Sequence, residues 1–276
     1  MTPLAEQTIL VTGATDGLGK AVAASLAGES ARLILHGRDD ARLEATADEL
    51  GGTSGNDEIR CYRADFASLD SVRALGDEIA RDYDRLDALV NNAGIGTKLP
   101  GEGERLESRD GHELRFAVNY LAHYALTRSL LPLIRDSAPA RIVNVSSAGQ
   151  APIDFDDVML ERHYSGVQAY CQSKLAQVMF TFDLAEELDP SAVTANCLHP
   201  ATYMPTKMVH AAGVNPASSL EEGRDATLRL VADPELHGVS GHYFNGTHDA
   251  AAHPQAYDED ARRQLRELSE RLCFPT

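Results

Sequence analysis

Thr8–Gly19, T-I-L-V-T-G-A-T-D-G-L-G, decides how this chain is read. A short apolar run, Ile9–Val11, enters a glycine-rich turn, and an apolar-periodic segment follows from Leu18 to Leu26. Strand, tight turn and helix in that order form the unit that holds a nucleotide pyrophosphate. Gly13 permits the sharp turn, while Gly17 and Gly19 let backbone and helix approach closely beneath the phosphates. The helix start aims its unpaired N–H groups and positive dipole end at the anion. The spacing is T-G-x-x-x-G-x-G rather than G-x-G-x-x-G, and standing alone it also reads as an ordinary turn. The rest of the chain decides between the two.

Outward from that turn, strand-like runs follow at Leu33–Leu35, Ile59–Tyr62, Ala88–Val90, Ile142–Val145 and Val193–Leu198. Helical patterns lie between them near Ala41–Leu50, Leu69–Tyr83, Gly111–Ile134 and Gln168–Leu188. Alternation at this spacing predicts an α/β fold, a parallel sheet with helices on both faces. There is no internal repeat and no low-complexity linker; Gly51–Gly55 reads as a loop within one domain covering 1–276.

The 276 residues are 43% hydrophobic and 24% charged, enough for a sizeable core in a soluble protein. No apolar run is long enough to span a bilayer and no signal peptide is recognisable, so the cytoplasm is the expected compartment. Four scattered cysteines without metal or C-x-x-C spacing are expected to be reduced, and no metal site is expected. A net charge of −17 argues against nucleic acid or an anionic membrane as partner. A small molecule is the expected partner, and a homo-oligomer is compatible with the sequence.

Cofactor choice is read at the end of the second strand, His36-Gly37-Arg38-Asp39. An NAD site usually carries an acidic residue there to hold the ribose 2′-OH. Gly37 leaves that position empty, and Arg38 can pair with a 2′-phosphate through its planar fork, which points to NADP(H). Asp39 is expected to cap the following helix. Asp16 argues mildly the other way, because a carboxylate in the glycine turn would repel a nearby phosphate.

From Asn91-Asn92-Ala93-Gly94 onward the chain resembles a short-chain dehydrogenase/reductase over nearly its whole length. The matching pieces are Thr12–Gly19, Asp65-Phe66, Asn91–Gly94, Asn119 within a long helix, Ser146-Ser147, and Tyr170-Cys171-Gln172-Ser173-Lys174. The resemblance implies a doubly wound Rossmann-type parallel sheet of about seven strands. It implies cofactor contacts from the turn (Gly13, Thr15, Asp16, Gly17, Leu18, Gly19), from Asp65 and Phe66 near the adenine, and from Asn91, Asn92, Ala93 and Gly94 along the ribose. Tyr170 and Lys174 would meet the nicotinamide ribose. Thr206 is matched to a cofactor-contacting threonine, although one extra residue precedes it.

Residue chemistry supports the same centre. A free tyrosine has a pKa of about 10, too high for efficient base catalysis near neutrality. Lys174, one helical turn after Tyr170 on the same face, is expected to favour tyrosinate by its charge. Ser147 would hold the substrate oxygen near the Tyr170 hydroxyl, and Asn119, by resemblance, would anchor a water leading to Lys174. Tyr164, Ser146, His163, His199 and Cys171 are the rivals, each lacking a partner set. The four residues Asn119, Ser147, Tyr170 and Lys174 favour an oxidoreductase of a carbonyl/alcohol pair over a catalytically silent nucleotide-binding protein on the same fold. An epimerase or dehydratase typically carries a different serine/threonine context and an extra carboxylate.

The long Ser147–Tyr170 gap, Arg141–Gly149, Gly241–Phe244 and a late helix over Asp258–Leu272 resemble the retinol dehydrogenase-like branch. Ligands in this fold sit beyond the carboxyl ends of the strands. The loops Ile95–Ser108, Gln150–Val167 and Ala201–Leu220 are therefore expected to line the pocket. The last (201–220), with Tyr203, Met204, Pro205, Met208 and Val209, is expected to be a lid suited to a medium-sized lipophilic substrate, or else simply to pack against the core.

Overall fold

The structure is a computed structural model that describes residues 3–98 and 104–275. Residues 99–103 of the expected pocket loop Ile95–Ser108 lie outside the described residues. Strands β1 (Thr8–Thr12), β2 (Arg32–Gly37), β3 (Ile59–Arg63), β4 (Ala88–Asn91), β5 (Ala140–Val145), β6 (Val193–His199), β7 (Tyr243–Asn245) and β8 (His248–Ala250) form one sheet ordered β3-β2-β1-β4-β5-β6-β7-β8. Neighbours from β3 through β7 pair in parallel, and β8 folds back antiparallel on β7. The sheet thus has the expected seven parallel strands and an eighth that closes one edge.

The inner strands are nearly continuous apolar runs because both faces are covered. Leu10, Ile34, Leu89 and Ile142 point into one core, with the helices α3 (Leu69–Asp82), α5 (Ala122–Asp136), α6 (Gly166–Glu187) and α9 (Glu259–Cys273). Their alternates Ile9, Val11, Leu33, Leu35, Val90 and Val143 point into the other, beneath α1 (Gly17–Gly28), α2 (Asp40–Ser54) and α8 (Leu220–Ala232). This is the period-two alternation of a strand read twice, once per face. The edge strand β3 is the exception, being largely exposed.

Two boundaries differ from expectation. Gly51–Ser54 is not a loop: α2 continues to Ser54, whose hydroxyl bonds the Leu50 carbonyl at 2.6 Å, and Gly55 then ends the helix in the left-handed region (φ 72°). The stretch expected to be helical from Gly111 starts at Leu114, where Glu113 accepts a bond from Phe116 N at 2.7 Å. After the short α4 (Leu114–Phe116), residues Ala117–Leu121 form a π-helical turn that opens into α5. Such a turn redirects one side chain out of the regular helical row. It falls on Asn119.

Candidate active site

The strand order reverses between β1 and β4, and the crevice at their carboxyl ends is where a ligand of this architecture binds. The two strand ends are tied together. Thr12 Oγ1 accepts from Asn92 N at 2.8 Å and Ala93 N at 2.9 Å, and Asn92 Nδ2 donates to Thr12 O at 2.8 Å. Gly13 lies at φ 67°, and a Cβ there would stand 2.8 Å from Ala93 Cα, so both conformation and space demand glycine. A Cβ on Gly19 would overlap the Gly13 carbonyl. Asn91 is committed inward, donating to Thr127 Oγ1 at 2.9 Å and Asn144 Oδ1 at 2.8 Å.

Asp16 caps α1 through Gly17 N at 2.8 Å, and its Oδ2 pairs with Lys207 at 2.6 Å and Arg42 at 3.1 Å. Its pKa is lowered, first by the hydrogen bond from Lys207. The expectation that Asp16 would repel a phosphate took it as an isolated carboxylate; here two cations meet its charge. Thr15 is half-buried and Leu18 packs into the core beneath α8. Thr206 caps α7 (Lys207–Ala211), and its methyl would stand 3.2 Å from a Cβ on Gly17, which places it over the glycine turn. Arg38 is exposed and makes no ion pair among the described residues. Asp39 caps α2 through Arg42 N at 2.9 Å, as expected. Asp65 accepts from Ala67 N at 3.0 Å and pairs with Arg109 at 3.4 Å, while Phe66 lies stacked on His36 at 4.2 Å and edge-on to His123 at 5.5 Å.

Ser147 follows β5, and Tyr170 and Lys174 project from α6. Gly149 N donates to Ser147 Oγ at 3.0 Å, and a Cβ on Gly149 would stand 3.5 Å from that oxygen and 3.8 Å from Tyr170 Cε1, so serine and tyrosine flank the same point. Burial raises the Tyr170 pKa and the serine opposes that rise. Lys174 Nζ is buried, 5.9 Å from the Tyr170 ring centre, and donates to Val145 O at 2.9 Å and Gln177 Oε1 at 2.8 Å. Desolvation lowers its pKa to about 7. Lys174 is not among the groups that lower the Tyr170 pKa, its Nζ being turned toward Val145 O and Gln177 Oε1. Asn119 ties its side chain to Ile95 N (2.8 Å), Ile95 O (3.1 Å) and Ser173 Oγ (3.0 Å), bracing the loop after β4 against α6.

Three of the five rivals are committed elsewhere. Ser146 is buried and donates to Lys174 O at 2.8 Å. The Tyr164 hydroxyl joins Arg115 and Glu113, and His199 contacts Thr202 Oγ1 at 3.0 Å. Burial raises the Cys171 thiol pKa, which disfavours thiolate.

Sequence reasoning missed Arg115, which binds Gly96 O and Thr97 O at 2.8 Å each and so shapes the loop beside Asn119. It also missed Arg42, Lys207, Gln177 and His123. Gln177 sits one helical turn beyond Lys174, a spacing that could have flagged it. Met204 proves to be a packing residue, wedged against Gly223 and Leu18.

The residues fit a nicotinamide dinucleotide: a cradle with no space for side chains at Gly13 and Gly19, an uncommitted guanidinium at one end, and a phenol with a buried amine at the other. No cluster able to hold a metal ion occurs among the described residues, and none of their helices is long and apolar enough to cross a membrane.

Comparison with known proteins agrees. Residues 7–216 match the short chain dehydrogenase family. Human retinol dehydrogenase 14 is 38% identical, the alignment covering 96% of this chain and 85% of the relative. A protein of Mycobacterium paratuberculosis superposes with a TM-score of 0.78 at 28% identity, covering 100% of this chain and 97% of its own. The Pseudomonas aeruginosa RhlG/NADP active-site complex superposes with a TM-score of 0.70 at 25% identity, over 89% and 97% of the two chains. The chain belongs to the short-chain dehydrogenase/reductase family of oxidoreductases.

Proposed function

We propose that this protein is an NADP(H)-dependent oxidoreductase that interconverts a carbonyl and an alcohol on a medium-sized lipophilic substrate, with Tyr170 as general acid/base. The observation that carries it is Ser147 and Tyr170 side by side at Gly149, where a Cβ would stand 3.5 Å from Ser147 Oγ and 3.8 Å from Tyr170 Cε1, with the buried Lys174 amine on the same helix, at the crevice where the strand order reverses. A bound nicotinamide supplies or accepts the hydride. The chain's own residues handle the oxygen and the proton. The Ser147 hydroxyl holds the substrate oxygen, and Tyr170, kept neutral by burial, gives its proton to that oxygen in the reducing direction and takes it back in the oxidising one. Lys174 is poised to change charge near neutrality, and Asn119 keeps the flanking loop and helix in register.

NADP(H) is supported by the uncommitted Arg38, by the empty acidic position at Gly37, and by a neighbour solved with NADP. A lipophilic substrate is supported by exposed Tyr203 (51%) and Met208 (38%) in the 201–220 segment, read as a lid, and by relatives named retinol dehydrogenases. Widely separated free cysteines suit a reducing compartment. The test measures NADPH consumption with all-trans-retinal and with a small polar aldehyde, for the parent and Tyr170→Phe. The parent should turn over the lipophilic carbonyl, and the variant should lose at least about 100-fold in kcat with NADPH binding retained. Turnover in Tyr170→Phe within a few-fold of the parent overturns the role of Tyr170. NADPH binding without turnover of any carbonyl in a panel overturns the enzyme reading.

A further inference from the structure

A line of buried polar groups runs from Lys174 away from the crevice. Lys174 Nζ donates to Gln177 Oε1 at 2.8 Å, Gln177 Nε2 stands 2.9 Å from His123 Nδ1, and the same Nδ1 stands 2.9 Å from the Asn119 carbonyl oxygen. Lys174, Gln177 and His123 are all at least 96% buried (4%, 1% and 1% exposed), so no bulk water arbitrates among them. His123 Nε2 is buried with no hydrogen-bond partner.

These contacts conflict. One imidazole nitrogen either accepts or donates. If Nδ1 accepts from the Gln177 amide, it turns a lone pair toward the Asn119 carbonyl, and the ring proton sits on Nε2, where nothing accepts it. If Nδ1 carries the proton, it satisfies Asn119, but then it faces the Gln177 N–H group. The amide can relieve that clash by turning over, so that Oε1 receives the Nδ1 proton. Its N–H group then faces Nζ, which an ammonium forbids and a neutral amine, with its lone pair, accepts.

We propose, resting on the reading of Lys174 as part of the catalytic centre, that Gln177 and His123 are positioning residues that switch with the proton on Lys174. With Lys174 charged, the Gln177 carbonyl faces Nζ and His123 is protonated on Nε2. With Lys174 neutral, the amide is reversed and His123 is protonated on Nδ1, bonded to Gln177 Oε1 and Asn119 O. The ammonium form therefore leaves one buried N–H without an acceptor and sets one carbonyl against a lone pair; the neutral form leaves only a lone pair unmet. Unmet buried donors are costly, so this shell makes Lys174 a ready proton source. The proton that leaves Nζ passes to the base at hand: the Tyr170 phenolate during turnover, or solvent hydroxide in the resting protein. The imidazole carries one proton in both states; the exchange between its nitrogens goes through water admitted by local opening of the site, one proton leaving Nε2 as another reaches Nδ1.

Few other charges bear on this line. Tyr170 and Cys171 lie on α6, Tyr243 on β7, Cys197 on β6, and His36 at the end of β2 beyond Phe66. No carboxylate or guanidinium perturbs Lys174 or His123 among the described residues.

The test is nitrogen-15 NMR of protein labelled at its ten histidines, which distinguishes the two tautomers by the shifts of Nδ1 and Nε2. His123 is assigned by its absence from His123→Asn. His36 is an internal control, its tautomer fixed by Gly13 N at Nδ1 and Ala64 O at Nε2. In the parent, the Nδ1-protonated share of His123 should rise from about one tenth to about nine tenths over roughly two pH units, the span of one titration. The step should vanish in Lys174→Met. Gln177→Glu should lock the Nδ1 proton at all pH and move the alkaline fall in turnover up by about one pH unit or more, because a carboxylate then faces the amine. A His123 tautomer constant with pH in the parent, or the same step in Lys174→Met, overturns the proposal. The tautomer readouts need no turnover, so absence of carbonyl reduction would sink the proposed function without deciding this switch.

Discussion

Lys207 Nζ lies 2.6 Å from Asp16 Oδ2, so a single ion pair joins the segment after β6 to the glycine turn. The pair is exposed, with Lys207 at 78% and Asp16 at 44%, and exposed pairs contribute roughly 0–1 kcal/mol. Its effect is on position rather than stability. Lys207→Ala should leave Tm within about 2 °C of the parent. Hydrogen exchange across 201–220 should become several-fold faster, and added salt should reproduce the effect in the parent. Unchanged exchange would mean that packing of Met204 and Thr206, not the ion pair, holds the segment down.

Acid should destabilise the protein above the carboxylate range. His36 and His123 are buried neutral, with pKa values lowered by desolvation to about 4 and about 3. The unfolded chain takes up these protons near pH 6.5 and the folded protein does not, so stability falls as pH drops below 6.5. Urea unfolding at pH 6.5 and 5.0 should show a loss approaching 1.4 kcal/mol per pH unit for each histidine. His123→Gln should remove about half of that slope; a slope unaffected by it would refute the assignment.

Lys174 works in the opposite window. Its folded pKa of about 7 lies below the 10.5 of a free lysine, so the unfolded chain binds the extra proton between those values. Stability should therefore rise with pH from 7 towards 10.5. Lys174→Met should be more stable than the parent at pH 7 by a few kcal/mol at most, with the gain fading towards pH 10. A variant less stable at pH 7 would show that the bonds to Val145 and Gln177 outweigh the cost of burying the charge.

What the sequence made legible was whatever depends on near neighbours along the chain. The strands were readable because Ile9–Val11 or Ala88–Val90 must be apolar on two faces, and Tyr170 and Lys174 because a four-residue spacing puts them on one helix face. The continuation of α2 through Gly51–Ser54 was hidden, since it depends on the Ser54 hydroxyl bonding Leu50 where composition suggested a loop. The hairpin strand β8 is only three residues long, too short to carry a pattern. Gln177 and His123 lie 54 residues apart, and Lys207 meets Asp16 across most of the chain, so only the assembled fold brings these partners together. The charge on Asp16 was misjudged for that reason.

Cofactor choice gives the last prediction. Arg38→Leu alone should weaken NADPH binding by about tenfold while leaving NADH binding near its parent value, because it removes one charge-assisted contact to a 2′-phosphate. Building an NADH site is harder. Gly37→Asp places a carboxylate where a 2′-OH could donate to it, but a Cβ on Gly37 would stand 2.9 Å from Thr15 Cγ2 and 3.2 Å from Leu43. Thr15 is β-branched and turns stiffly at χ1, so the clash should lower stability by about 1–3 kcal/mol. Thr15→Ser deletes the offending methyl and keeps the hydroxyl. The triple variant Thr15→Ser, Gly37→Asp, Arg38→Leu should therefore prefer NADH and regain most of the Tm lost by Gly37→Asp, Arg38→Leu. Direct binding titrations with both cofactors, beside thermal melts, separate the two effects. If the parent already binds NADH more tightly than NADPH, Arg38 does not read the phosphate, and the assignment of NADP(H) fails with it.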